Sequence, residues 1–290
     1  MSKSLFGRPR AEVEAALPDR EPVVCPLCRC EPSPFAVDFQ GFHLARCPSC
    51  GLECQNPRPV LAQLSEAVYG ATYHPTAHAG DDPYRERTFA RQLARIGRHV
   101  AARPASVLDV GCGAGAFLRY ARGQGWDASG ADIHLTDAAR GTGASLYEGA
   151  LTAIDFGGAT FDAVRFNQVL EHTPDPLAEL RAARRLTRPD GLLVVGVPNL
   201  AGWNIRLKSA QSRLGLKRRP WKHYGALHHL WFFTPATLAR LAEAAGFEVV
   251  DWETPADGRP EAPGVLRDLV ARPVAALRAG GILDLYAAPC

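Results

Sequence analysis

The chain has 290 residues, of which 47% are hydrophobic and 22% charged, enough for one large domain with a core of its own and a smaller one. Its 33 basic and 30 acidic residues leave a formal charge of only +3, which argues against a general polyanion binder. Charges interrupt the N-terminal segment, and no apolar stretch approaches the roughly 18 residues of a membrane span. We therefore expect a soluble, cytoplasmic protein with no membrane partner.

Three segments precede the large domain. Residues 1–22 are charged and lack a sustained apolar period, so we expect a poorly ordered lead-in or a short helix of little consequence. Residues 23–58 carry six of the eight cysteines and little apolar material, so this segment needs a metal or the large domain to hold it. Residues 59–83 have the composition of a connector, and the large domain is expected over residues 84–290.

The cysteines form two C-P-x-C pairs separated by 18 residues, a spacing typical of a four-thiolate zinc site in a cytosolic protein. The expected ligands are Cys25, Cys28, Cys47 and Cys50. Gly51 can adopt the positive φ that a chain turning around a metal often needs. A closed tetrathiolate has no open position for substrate, so the zinc is expected to be structural. Either Cys30 or Cys54 could replace a neighbour, and reduced thiols or a redox pair are the alternative.

The large domain alternates helical and β-rich runs, the pattern of a parallel sheet with crossover helices. A first helix face is predicted from the spacing of Phe89, Leu93, Ile96 and Val100. The predicted strands are Ser106–Val110, Ala128–Asp132, Phe161–Phe166, Leu192–Val197, Phe247–Trp252 and Ile282–Ala287. The later predicted helices are Phe117–Arg122, Leu177–Leu186 after the N-cap Asp175 and Pro176, and one that begins at Thr234 and Pro235 and ends at Gly246.

Three glycines, Gly111, Gly113 and Gly115, stand between a predicted buried strand and a helix. Such a loop lets the backbone approach a ligand, and the following helix N-terminus favours a negative group. The glycines alone fit both a nicotinamide dinucleotide and S-adenosylmethionine. Asp109 ends the strand, where it can organise the loop and accept from a cofactor amino group. Asp132 ends the next strand 23 residues later, suitably placed for a ribose diol.

Successive strings of the large domain resemble the ordered motifs of the class I S-adenosylmethionine-dependent methyltransferases. The strings are VLDVGCGAGAF, GADI, FDAVRFNQVLEH and DGLLVVGVPN, and HHLWFFTPATLARLAEAAGFEVV is similar to the end of that domain in the ubiquinone-type small-molecule branch. The resemblance covers residues 84–290. It implies an α/β fold with a doubly wound, Rossmann-like, seven-stranded sheet, preceded here by a small zinc ribbon.

The resemblance also implies roles for particular residues. Asp109, Gly111, Gly113 and Gly115 would form the methionine-side loop, and Asp132 would hold the ribose. Ala150 and Leu151 fall where the family contacts adenine, although this sequence lacks the acidic pair common there. Asn167 and Gln168 would lie beside the sulfonium. S-adenosylmethionine and structural Zn²⁺ are thus the expected cofactors.

An insert over about residues 200–232 separates the predicted strand Leu192–Val197 from the predicted helix that begins at Thr234. Residues 203–230 contain seven lysines and arginines and no acidic residue, with Trp203, Trp221 and Tyr224 among them. We interpret the insert as a substrate lid, whose cations could bind a carboxylate or phosphate and whose aromatic rings suit a sugar or flat ring. The alternatives are a solvated basic face and ordinary packing of the aromatic side chains.

The ribbon followed by Asn56-Pro-Arg-Pro59 resembles a leader on bacterial methyltransferases of glycan and natural-product pathways. The expected reaction is methyl transfer to an oxygen or nitrogen of a small polar metabolite, glycosyl unit or natural-product intermediate, anionic or sugar-containing. One alternative is an RNA base methyltransferase that grips RNA with the ribbon and insert, although related RNA enzymes typically end their zinc set with histidine. Another is a non-catalytic partner that uses the ribbon for assembly.

Two histidines are candidates for the base that removes a proton from the acceptor. His172 ends the motif FDAVRFNQVLEH on the cofactor side, and His229 lies at the end of the insert. We favour His229, because a residue of a lid meets the substrate rather than the cofactor. The alternatives are a structural imidazole at His172, before Pro174, and catalysis by alignment alone.

Overall fold

The computed structural model of the chain describes residues 5–67, 83–100, 105–255 and 273–290. Most of the predicted connector, residues 68–82, lies outside the described residues. None of the helices within these ranges is both long and apolar enough to cross a bilayer.

The N-terminal segment consists of short strands and two short helices. They are α1 (Arg10–Ala16), β1 (Arg20–Glu21), β2 (Ser33–Val37), β3 (His43–Arg46), β4 (Glu53–Gln55), β5 (Arg58–Pro59) and α2 (Leu61–Ala67). Within the expected lead-in, Arg10–Ala16 form the short helix α1, Val13 and Leu17 are fully buried, and β1 pairs antiparallel with β5. Two apolar side chains in a charged segment give no sustained period, so the pattern does not reveal this packing.

The large domain carries the remaining elements. Its helices are α3 (Pro83–His99), α4 (Ala116–Gly123), α5 (Asp137–Arg140), α6 (Pro176–Leu186), α7 (Trp203–Arg213) and α8 (Pro235–Ala244), and Leu170–His172 and Lys222–Tyr224 form 3₁₀ turns. Its strands are β6 (Ser106–Val110), β7 (Asp127–Asp132), β8 (Ser145–Glu148), β9 (Phe161–Asn167), β10 (Thr187–Pro198), β11 (Trp231–Phe232), β12 (Phe247–Glu253) and β13 (Ile282–Pro289). The predicted helix caps are confirmed: Asp175 accepts from the backbone N–H groups of Leu177 and Ala178, and Thr234 accepts from that of Thr237.

Seven strands form one sheet in the order β12-β13-β10-β9-β6-β7-β8. The five strands from β10 to β8 are parallel, whereas β13 pairs antiparallel with both β10 and β12. This confirms the predicted doubly wound fold. Strand β8 is absent from the sequence predictions, because its side chains are all half-buried or exposed and give no clear apolar run.

Helices cover both faces of the sheet, since alternate residues of a strand point to opposite sides. Val107, Ala163, Leu192 and Val194 pack in one cluster with the buried residues of α3 and α4. Their neighbours Leu108, Val164, Leu193 and Val195 pack in a second cluster with the buried residues of α6 and α8. The predicted apolar face of α3 is confirmed, as Phe89, Leu93, Ile96 and Val100 are buried.

The N-terminal segment and the insert share a second sheet, in the order β11-β4-β3-β2. Strand β11 pairs antiparallel with β4, which places Trp231 opposite Cys54. The Tyr224 hydroxyl donates to Glu53 Oε2 at 2.8 Å, and the Phe39 N–H donates to the carbonyl of Pro220 at 3.0 Å. Trp221 and Tyr224 are buried. The insert therefore packs against the cysteine-rich segment.

The buried hydrogen bond between Tyr224 and Glu53 gives a test of this packing. Tyr224→Phe is expected to lower the free energy of unfolding by about 1.5–3 kcal/mol, because the hydroxyl donates to a charged group away from water. The control is Tyr147→Phe, because the Tyr147 hydroxyl has no hydrogen-bond partner among the described residues. Urea unfolding of both variants is the measurement, and equal stabilities would contradict the expectation.

Candidate active site

The glycine loop joins β6 to α4 at the carboxyl edge of the large sheet. Gly111, Gly113 and Gly115 have φ values of 71°, 54° and 73°, a left-handed conformation that favours glycine. A Cβ atom on Gly111 would lie 2.3 Å from a side-chain carbon of Val169. The close turn therefore needs glycine both for its conformation and for its packing.

Asp132, at the end of β7, connects this loop to the neighbouring strand. Its Oδ2 accepts from the Gly113 N–H at 2.8 Å, and its Oδ1 accepts from the His134 N–H at 3.2 Å. The side chain is buried except for 6% of its surface. The carboxylate is thus fixed at the sheet edge by two backbone donors.

Asp109 is buried beneath the loop and forms an ion pair with Arg165 of β9. Burial raises the pKa of Asp109, and the nearby Arg165 guanidinium opposes that rise. Arg165 Nε also donates to Gln92 Oε1 at 2.7 Å, and its guanidinium carbon lies 4.0 Å from the centre of the Phe117 ring. Arg165 is absent from the sequence predictions, although a charged residue inside an otherwise apolar strand implies a buried partner of opposite sign. The contact of Asp109 with a cofactor amino group stays a prediction.

A cavity of about 330 Å³ opens at the carboxyl edge of the sheet. Its lining includes Leu61, Leu64, Gly111, Asp132, Ile133, Ala150, Leu151, Gln168, Val169, His172, Pro174, Glu179 and Leu230. Six predicted site residues border it, namely Gly111, Asp132, Ala150, Leu151, Gln168 and His172. Asp109, Gly113, Gly115, Asn167 and His229 do not. Its size lies within the range of small-molecule pockets, and its wall is mainly apolar with a few polar groups.

Three histidine rings form a cluster beside the cavity. The ring centres of His172 and His229 lie 4.9 Å apart, and His228 lies 4.2 Å from His229. His172 Nδ1 lies 2.8 Å from the carbonyl of His228, and His229 Nδ1 lies 2.9 Å from that of Tyr224. Because a carbonyl only accepts, we assign the proton to Nδ1 in both rings, so Nε2 is the unprotonated nitrogen.

The two candidate bases are neutral near pH 7. Burial lowers the pKa of His172 to about 4, although the hydrogen bond with the carbonyl of His228 partly opposes that shift. Burial, together with the neighbouring His228 and His172, lowers the pKa of His229 well below its usual value. Each ring is therefore unprotonated over the neutral range.

Glu171 is a buried acid beside these rings that the sequence predictions do not include. Its two carboxylate oxygens have no hydrogen-bond partner in the described part of the chain, and Oε1 lies 3.9 Å from His172 Nε2. Burial raises the pKa of Glu171 to about 8, so the group is mostly protonated at pH 7. One ligand atom each of Glu171, His172 and His229 lie within 4.8 Å of one another, a donor set that a divalent cation also accepts.

The four predicted zinc ligands come together in the N-terminal segment. The sulfur atoms of Cys25, Cys28, Cys47 and Cys50 all lie within 4.8 Å of one another, and Cys30 and Cys54 lie outside this group. The predicted positive φ of Gly51 is confirmed at 77°, and Arg29 after the first pair has a φ of 60°. Although burial opposes ionisation of Cys47, the backbone N–H groups of Cys50 and Ser49 and the neighbouring thiols lower its pKa to about 7. Cys47 is thus partly ionised at neutral pH, whereas burial raises the pKa of Cys25 to about 11.

Comparison with known proteins identifies relatives of the large domain. A family profile described as a methyltransferase domain matches residues 82–251. A ubiquinone biosynthesis O-methyltransferase of Thiobacillus denitrificans is 33% identical over 155 residues, which are 49% of this chain and 64% of that protein. Another from Dinoroseobacter shibae is 29% identical over 185 residues, 59% of this chain and 73% of that protein. The match thus spans just under two thirds of the first relative.

Two solved structures share the fold. The 1,6-didemethyltoxoflavin N1-methyltransferase of Burkholderia thailandensis, with 1,6-didemethyltoxoflavin and S-adenosylhomocysteine bound, has a TM-score of 0.55 and 21% identity, and covers 89% of this chain and 99% of its own. The CcbJ methyltransferase of Streptomyces caelestis has a TM-score of 0.51 and 17% identity, and covers 73% of this chain and 92% of its own. At these identities the likeness shows the fold.

The position of Asp132 gives a direct test of cofactor binding. Asp132→Ala is expected to weaken binding of S-adenosylhomocysteine by about 10- to 100-fold, the effect of losing a charged hydrogen-bond acceptor of about 1.5–3 kcal/mol. Asp127→Ala, at the exposed first residue of the same strand, is the control and is expected to leave affinity unchanged. Calorimetric titration measures both. Equal affinities for the two variants would remove Asp132 from the site.

Proposed function

Because the chain belongs to the methyltransferase-domain family, in its class I S-adenosylmethionine-dependent fold, we propose that it transfers a methyl group from S-adenosylmethionine to a small molecule. The observation that carries this proposal is Asp132, whose carboxylate holds the glycine loop and borders the cavity at the sheet edge. The cofactor supplies a methyl group already activated by a positive sulfur. The protein then needs chiefly to align the acceptor and to receive its proton.

The residues fit such a cofactor along one edge of the cavity. Asp132 would accept from the ribose hydroxyls, and Ala150 and Leu151 would contact the adenine. Asn167 and Gln168 would lie near the sulfonium, while Asp109 and the loop glycines would hold the methionine end. The support is that Gly111, Asp132, Ala150, Leu151 and Gln168 all border one cavity.

We propose an acceptor with a flat, mainly apolar body and a reactive oxygen or nitrogen. The cavity wall includes the apolar residues Leu61, Leu64, Pro174 and Leu230, with His172 and Thr173 among its polar members. An O-methyltransferase of ubiquinone biosynthesis among the relatives and an N-methyltransferase among the structural neighbours act on acceptors of these two kinds. Of the expected acceptor classes, this wall favours a natural-product intermediate over a small polar metabolite or a glycosyl unit.

The experiment that tests this function uses labelled S-adenosylmethionine and a panel of catechols and flat nitrogen heterocycles. The same assay is then run with two fractions, an extract of small molecules and RNA. Methylation of a small molecule, abolished in Asp132→Ala and kept in Asp127→Ala, is the expected result. Label found only in RNA would favour the alternative of an RNA base methyltransferase. No transfer to either fraction, together with no binding of S-adenosylhomocysteine, would leave the non-catalytic assembly partner.

We propose that His172 is the base, with His229 behind it as a positioning residue. The sequence favoured His229, but His172 borders the cavity and His229 does not. In this assignment His172 Nε2 takes the proton from the acceptor, and its Nδ1–H stays on the carbonyl of His228. Glu171 and His229 could instead join His172 around a cation, so the assay includes an arm with a chelator.

The lowered pKa of His172 gives this assignment a pH dependence. A base with a pKa of about 4 is already deprotonated at pH 5.5. Burial and the nearby Asp175 raise the pKa of Glu179 in the cavity wall to about 7, so the profile is measured in Glu179→Gln. In that variant kcat/KM is expected to change less than about two-fold from pH 5.5 to 7. His172→Ala is expected to lower kcat by roughly 100-fold while the affinity for S-adenosylhomocysteine stays constant. A midpoint near pH 6.5, or a kcat of His172→Ala within a few-fold of the native enzyme, would contradict the assignment.

We also propose that the four clustered cysteines hold one structural zinc ion. The support is their spacing and the convergence of four sulfur atoms. A site closed by four protein ligands leaves no position for substrate, so the ion would stabilise the N-terminal segment rather than take part in methyl transfer.

Metal analysis tests the zinc proposal. Protein purified without chelator is expected to contain about one zinc per chain, lost in Cys25→Ser and Cys47→Ser. Cys54→Ser is the matched control, because Cys54 is buried in the same segment but lies outside the cluster. Native protein without zinc, or loss of zinc in Cys54→Ser alone, would contradict the assignment.

A further inference from the structure

A second cavity, of about 880 Å³, lies on the insert and is lined almost entirely by cations. The lining residues are Lys208, Lys217, Arg218, Arg219, Lys222 and His223. We call this the basic cavity. Residues 203–230 contain no aspartate or glutamate, and within the described ranges none of the five cations forms an ion pair with a carboxylate from elsewhere.

Five like charges around one open space repel one another, and an anion between them removes that repulsion. The charge of the cavity comes from the lysines and arginines alone. His223 is neutral at pH 7, because burial, together with the adjacent Lys208 and Lys217, lowers its pKa to about 4. Its ring stays available for hydrogen bonding, with Nε2 at 2.8 Å from Ser209 Oγ.

The wall of the basic cavity is anchored on both sides. The Trp221 N–H donates to Ser212 Oγ of α7 at 3.1 Å, and the carbonyl of the preceding Pro220 accepts from Phe39 of the N-terminal segment at 3.0 Å. Trp221 itself has a φ of 60°, a left-handed conformation that is unusual for a bulky residue. Backbone strain of this kind concentrates at ligand sites, where the surrounding packing maintains it. The backbone of the segment that carries these lysines and arginines is therefore held in place by hydrogen bonds.

We propose that the basic cavity binds the diphosphate group of a larger ligand. A single carboxylate would leave most of the five cations uncompensated, whereas a diphosphate offers several charged oxygens to the paired Arg218 and Arg219 and to the lysines around them. The cavity is also much larger than an inorganic anion, so the ligand extends beyond its phosphates. This binding site is separate from the cavity at Asp132, and the inference does not depend on methyl transfer.

The test is calorimetric titration of the full chain with inorganic pyrophosphate, with UDP and with geranyl diphosphate. Phosphatidylglycerol vesicles and RNA are titrated in the same way. The variant is Arg218→Gln with Arg219→Gln, and the control is Arg98→Gln with Arg181→Gln, which removes the same charge from exposed positions on α3 and α6. We expect at least one diphosphate to bind the native chain, and to bind about 10-fold or more weakly to the variant, while the control stays within about two-fold. Binding is also expected to weaken as salt rises.

The arms separate the sources of the diphosphate. Tighter binding of UDP than of pyrophosphate indicates a nucleoside diphosphate, and tighter binding of geranyl diphosphate indicates a lipid diphosphate. Equal affinities for all three would contradict a larger ligand. Unchanged affinity for S-adenosylhomocysteine shows that the variant is folded. The inference is overturned if no diphosphate binds the native chain, if the variant and the control weaken equally, or if only phosphatidylglycerol vesicles or only RNA bind.

Discussion

The backbone pairing of β11 with β4 holds the candidate active site in its present arrangement. Next to this pairing, the Gln55 side chain donates to the carbonyl of His229 at 2.7 Å, and the carbonyl of His228 fixes Nδ1 of His172. Each contact is a directional hydrogen bond, so a shift of the cysteine-rich segment would be transmitted to the ring that borders the cavity. The N-terminal segment therefore belongs to the construction of the site, although its four clustered cysteines take no part in the proposed chemistry.

The buried pair of Asp109 and Arg165 has a comparable role on the other side of the glycine loop. Replacing such a pair by apolar residues often costs nothing in stability, so its main effect is on geometry. Arg165 lies over the Phe117 ring at the start of α4 and also binds Gln92 of α3. It thus connects β9 to α3 and α4. Of the two strand-end aspartates, Asp132 borders the cavity and Asp109 does not.

Local patterns predicted the sheet and its edge well, because period, caps and glycines act over a few residues. The strand ends that carry Asp109 and Asp132 lie at the same edge of the sheet, because parallel strands finish at one edge. What the sequence does not show depends on distant partners. Arg165 and Asp109 are 56 residues apart, and Gln55 and His229 are 174 apart. The buried Glu171 and the order of His172 and His229 around the cavity follow only once those contacts are known.

The same long separation bears on how the chain folds during synthesis. Strand β4 leaves the ribosome early, whereas β11, which covers its edge, is made much later. Until then β4 presents unpaired backbone groups, an arrangement that invites pairing with other chains. Contacts so far apart in sequence also close slowly, because a long loop must be ordered first. Nascent chains of this protein consequently expose the unpaired edge of β4 for most of their elongation. A chaperone that covers roughly the first 60 residues would protect that edge until β11 is made.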